Sequence, residues 1–159
     1  MPKSKKKRNK PYRKRRVGYM EQFDIAGNQR VSDKTLEGIE LSYRVHLDSF
    51  RREPTDDSWS YLVGVILMAD RLSYAIEEGA DFRRNTTAAW RQLHAAWRIW
   101  TEQKAIATQN LQLAEDILPD VIALFRQFTY NECDQALQYV LKHDLCPVEI
   151  ENQEATKNE

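Results

Sequence analysis

Ten cationic side chains stand within the first sixteen residues: Lys3, Lys5, Lys6, Lys7, Arg8, Lys10, Arg13, Lys14, Arg15 and Arg16, with no carboxylate among them. Ammonium and guanidinium groups at that density neutralise phosphates and release counterions, and Tyr12 and Tyr19 beside them can stack on exposed bases. Such contacts hold a polyanion with little sequence preference, because phosphates carry no base information. The competing uses of the same residues are solubility and pairing with the chain's own carboxylates.

A second set of cations has helical spacing. Arg84, Arg91 and Arg98 lie seven apart, with His94 between the last two. A seven-residue step drifts by only about 20° around a helix, so the three share one stripe and could extend the surface of the basic run. The plainer role is the solvated side of a helix whose other side carries Trp90, Trp97 and Trp100. Those tryptophans are expected mainly in the core against a central helix. The other use is a partly exposed aromatic patch for a partner protein or a second copy, since tryptophan and arginine anchor interfaces.

Little else in the chain could do chemistry. Cys133, His143 and Cys146 have a compact spacing, but no fourth zinc ligand and no Cys-x-x-Cys pair accompanies them. Neither a glycine-rich phosphate loop, a nucleophile elbow nor a His-Glu-x-x-His motif occurs. Asp70 and Arg71 interrupt the most apolar stretch, and a carboxylate there must be paired or turned outward; an arginine of a neighbouring helix is the expected partner. These patterns predict a protein without catalytic residues, metal or cofactor.

The whole chain has 24 basic and 24 acidic residues, and this balance hides a division. Residues 17–159 hold 14 basic and 24 acidic groups, so a cationic arm precedes an anionic remainder, and the two are expected to have different partners. Hydrophobic content of 42% is enough for a core, and five glycines with five prolines favour long helices over a many-turned sandwich. Two cysteines do not make a disulfide framework. The longest apolar run, Tyr61 to Ala69, is far short of the roughly 20 residues that cross a bilayer. A cytoplasmic protein without a membrane partner is expected.

The elements that must position these groups follow from periodicity. Ser32 or Asp33 is expected to cap a first helix with Leu36, Ile39, Tyr43, Leu47 and Phe50 on one stripe, widened by Leu41 and Val45 and ended by Pro54. A second helix opens at Thr55 to Ser58 and carries Trp59, Leu62, Val63, Ile66, Leu67, Leu72 and Ile76. It is apolar on most sides and therefore central. Gly79 is its expected stop. A third helix follows the polar segment Asp81 to Thr87, with a break expected near residues 105–109. A fourth, with Leu111, Ala114, Leu118, Val121, Phe125 and Phe128, kinks at Pro119 because its stripe keeps phase across the proline. Thr129-Tyr130-Asn131-Glu132 has the form of a capping box and begins a fifth, with Cys133, Ala136, Leu137, Val140 and Leu141.

The opening Lys7-Arg8-Asn9-Lys10-Pro11-Tyr12 resembles the Lys-Arg-Asn-Lys-x-Tyr-like start of a loose group of small phage and prophage proteins with helical bodies. The likeness is specific over about ten residues and architectural beyond them. It implies a phage or mobile-element origin and transfers no activity or site residue. Together these readings predict an all-α protein: a disordered basic arm over 1–20, a bundle of about five mostly antiparallel helices over 21–148, and a flexible acidic tail over 149–159. The expected function is nucleic-acid binding through the arm by a non-enzymatic accessory protein. The alternative is a protein-interaction module whose acidic body modulates a host or defence protein; a homodimer is a further possibility.

Overall fold

The computed structural model describes residues 27–77, 79–104 and 111–142. The basic arm, the expected break at 105–109 and the acidic tail, with His143, Cys146 and Pro147, lie outside these residues.

Helix α1 (Asp33–Arg52) starts where a serine can cap it: the Ser32 side chain accepts a 3.2 Å hydrogen bond from the Thr35 amide. It stops at Glu53, which is extended ahead of Pro54. Leu36, Tyr43, Leu47 and Phe50 are buried as the periodicity predicts. Leu41 and Val45 do not widen that stripe; they are 66% and 58% exposed. At 100° per residue they fall about 160–200° around from Tyr43, directly opposite the core.

Helix α2 (Asp56–Leu72) opens on a capping box: the Ser58 amide donates to Thr55 Oγ1 at 3.2 Å, and the Thr55 amide donates to Ser58 Oγ at 3.0 Å. Every residue from Leu62 to Asp70 is buried. Helices α1, α3 and α6 supply that cover. Burying a side chain such as Leu62 or Ile66 contributes about 1.5–3 kcal/mol, so this helix concentrates the apolar stabilisation of the fold.

The second helix ends earlier than expected, at Leu72, and a 3₁₀ turn (Ser73–Ala75) leaves Ile76 extended. Gly79 is not its stop but the first residue of α3 (Gly79–Gln103). A Cβ on Gly79 would collide with the Ser73 carbonyl and the Arg83 guanidinium, so the glycine permits a close approach on the far side of the turn. Helix α3 also absorbs the polar segment Asp81 to Thr87, expected to precede it. The reason is that Thr86 and Thr87 are buried, and the Thr86 hydroxyl donates to Asp70 at 2.7 Å. Lys104, with φ of 51°, ends the helix in the left-handed region.

Two short helices follow, α4 (Gln112–Asp116) and α5 (Leu118–Phe125), separated only by Ile117. Hydrogen bonds from Ile117 to the Leu113 carbonyl and from Val121 to the Ile117 carbonyl carry the ladder through. Together they are the kinked fourth helix, with Pro119 in the first turn of its second half and the buried stripe in phase across it. Helix α6 (Tyr130–Lys142) begins at the predicted capping box: the Thr129 amide donates to the Glu132 carboxylate at 2.8 Å, and the Glu132 amide to Thr129 Oγ1 at 3.3 Å.

Counting α4 and α5 as one, the described residues form a five-helix bundle, and the all-α prediction holds. The pairs Trp59–Trp97 and Asp70–Thr86 show that α2 and α3 run antiparallel. The β content among the described residues is one isolated bridge, Arg30 with Thr129. Its hydrogen bonds, from the Val31 amide to the Phe128 carbonyl and from the Tyr130 amide to the Gln29 carbonyl, tie the start of the described chain to the turn before α6. The Tyr130 hydroxyl reinforces the join through Thr35 at 2.8 Å.

Candidate functional site

The cationic stripe of α3 is present and exposed, yet most of its charge is already engaged. Arg84 pairs with Asp81 at 2.6 Å and Arg98 with Glu102 at 3.0 Å, each within the helix. Such exposed pairs are worth little to stability, and they offset the charge of two of the stripe's three arginines. Arg91 is exposed, with no ion pair among the described residues. The arm residues Lys3, Lys5, Lys6, Lys7, Arg8, Lys10, Arg13, Lys14, Arg15 and Arg16 lie outside the described residues, so the two basic sets are not placed relative to one another.

The tryptophans pack toward the core and the central helix as expected, but at the core's edge. Trp59, Trp90, Trp97 and Trp100 are all half-buried, and none belongs to the sealed core. Trp59, Trp90 and Trp97 pack against the core's outer edge. A 3.6-residue stripe places Trp90 and Trp97 about 70–90° away from the axis of burial defined by Leu93 and Ala96, where an indole reaches both core and solvent.

These rings form a ladder across three helices. Phe50 of α1 meets Trp97 of α3 at 6.3 Å between centroids, Trp97 stacks on Trp59 of α2 at 5.6 Å, and Trp59 meets His94 at 5.9 Å. His94 in turn stacks on Trp90 at 4.7 Å with planes 10° apart. Burial, assisted by the neighbouring Arg98 charge, holds the His94 imidazole below its ordinary pKa, because both disfavour the cation. A second stack, His46 on Tyr61 at 4.3 Å, joins α1 to α2.

At the other end of α2 lies an open groove of about 440 Å³. Leu72, Phe128 and Ala136 are among its lining residues, with Arg71, Tyr74 and Tyr139. The Arg71 guanidinium lies 4.0 Å over the Tyr139 ring, and Arg83 lies 4.2 Å over Tyr74.

The remaining chemistry-bearing groups are structural in their surroundings. Asp70 is fully enclosed and accepts from Thr86. The Tyr43 hydroxyl donates to the Ala114 carbonyl at 2.7 Å, and burial drives its pKa well above the usual tyrosine value. Cys133 is half-buried, and burial with the neighbouring Glu132 charge pushes its thiol up to about 11. Among the described residues no three His, Cys, Asp or Glu side chains cluster as a metal site. No helix there is long and apolar enough to cross a membrane.

Two features escaped the sequence reading. Gln92 of α3 accepts from the Leu113 and Ala114 amides at 2.9 and 3.3 Å, capping α4 from a neighbouring helix. No local pattern signals it, because the partners are about twenty residues apart. The second feature is charge placement: residues 27–142 hold 13 basic and 17 acidic groups, so the bundle itself is nearly balanced. Much of the acidic excess resides in the flanking segments.

The chain matches no family model, and no curated protein or solved structure matches it.

Proposed function

We propose that this is a small non-enzymatic accessory protein, encoded by a phage or other mobile element, that binds nucleic acid through residues 3–16. One observation carries the proposal: ten cations in sixteen residues with no intervening acid, ahead of a bundle close to charge balance. A bundle of that kind repels polyanions only weakly, so the arm sets the sign of the interaction. The phage or mobile-element origin rests on the resemblance carried by Lys7 to Tyr12.

Engagement of about six phosphates makes log affinity fall with log salt at a slope near −5 on duplex DNA. Fluorescence anisotropy with a labelled oligonucleotide, across a salt series, measures this. Removing residues 1–16 is expected to abolish binding and leave the helical circular dichroism unchanged. Binding that survives the removal, or that shows no salt dependence, overturns the proposal.

The protein-interaction reading draws support from the half-buried tryptophans rather than from an acidic body. The near balance of charge over residues 27–142 gives a negative docking surface little to work with.

A further inference from the structure

We propose that the aromatic ladder is the contact surface between two copies of this chain, related by a two-fold axis through Trp59 and His94. Three of the ladder's rings are indoles that pack on the core with one side and keep part of the other open to solvent, and tryptophan at a surface is the residue type that most often carries binding energy.

The charges at the two ends of the ladder select the occupant. Helices α2 and α3 are antiparallel, so the directions toward their N-termini are opposite. Asp56 stands one turn before Trp59 on the same face of α2, exposed and in no ion pair among the described residues. Arg91 stands one turn before His94 on α3, also exposed and also in no ion pair there. The ladder therefore has an unengaged anion at one end and an unengaged cation at the other, roughly 13 Å apart along the helix axes at 1.5 Å per residue.

A two-fold axis perpendicular to the helices and through the ladder exchanges these ends. It brings Asp56 of each copy toward Arg91 of the other and lays indole on indole between them. This is the self-complementarity that an isologous contact demands. A nucleic acid on the same surface would find Asp56 in its path. A one-signed protein partner would leave one end of the ladder mismatched. The arginines already held by Asp81 and Glu102 remain at the rim, where they contribute little.

Sedimentation of the nuclease-treated full-length chain tests the proposal. The 18.7 kDa chain is expected to run at twice that mass at micromolar concentration, and tryptophan emission to shift blue as the dimer forms. Arg91→Glu and Asp56→Arg each place like charges opposite one another and are expected to weaken the dimer by about tenfold or more. The double variant is expected to restore it, since the pair is re-formed with signs exchanged. Both positions are exposed, and circular dichroism verifies that each variant remains folded. A chain that stays monomeric overturns the proposal, and so does a dimer indifferent to both single changes.

Discussion

The carboxylate of Asp70, in the enclosed stretch of α2, accepts a 2.7 Å hydrogen bond from the Thr86 hydroxyl of α3. Both residues are at most 1% exposed, so water cannot replace either partner. Thr86→Val keeps the shape and removes the donor. It is expected to lower stability by about 1–3 kcal/mol in urea unfolding, whereas Thr86→Ser retains most of it. A valine variant within about 0.5 kcal/mol of the parent would show that the bond contributes nothing.

Tyr43 joins α1 to α4 through the Ala114 carbonyl. Tyr43→Phe is expected to cost about 1 kcal/mol, since the carbonyl loses its partner. The folded-state pKa is raised above the unfolded value near 10, so the folded form holds its proton more tightly. That contribution is complete below about pH 10 and declines as pH rises toward the folded pKa. Urea midpoints from pH 8 to 11 are expected to fall more steeply in the parent than in Tyr43→Phe.

His94 has the opposite sign. Its folded pKa lies below the unfolded value of about 6.5, first through burial and then through Arg98. The unfolded chain binds the proton more readily, so stability is present above pH 6.5 and is lost as pH falls through the folded pKa. His94→Gln is expected to flatten the stability profile between pH 7.5 and 5. An unchanged slope in that variant counts against the assignment.

Leu41 and Leu47 separate solvent face from core within one helix. Leu41→Gln is expected to change stability by less than about 0.5 kcal/mol, because the side chain is mostly exposed. Leu47→Ala removes a side chain 2% exposed and is expected to cost about 2–5 kcal/mol. Paired denaturant melts read both.

Local chemistry accounts for what was legible beforehand. Ser32, Thr55 and the Thr129–Glu132 box declare three helix starts, because a cap depends only on residues within one turn. The stripe through Leu36, Tyr43, Leu47 and Phe50 declares a buried face for the same reason. Leu41 and Val45 are apolar in type but lie at the wrong angle for the buried stripe. The roles of Gly79 and of the segment from Asp81 to Thr87 arise from partners beyond local pattern, Ser73 and Asp70. The ladder was hidden for a related reason: the spacing of Trp90 and Trp97 shows a common stripe, but its angle to the core depends on where α2 lies. Of the candidate site, the α3 cations lie where expected, and the three- and four-residue spacing of Asp81 and Glu102 from Arg84 and Arg98 accounts for their engagement.

The cover that α6 provides for α2 has a consequence for how the protein is made. Among the described residues the helix that closes this side of α2 is the last one synthesised, so a nascent chain ending at Phe125 displays the α6-facing side of α2 without its lid. Ribosome stalling or a premature stop in that interval would release an intermediate with an uncovered apolar side, and Lys142, the last residue of α6, is the point past which the molecule becomes safe to let go.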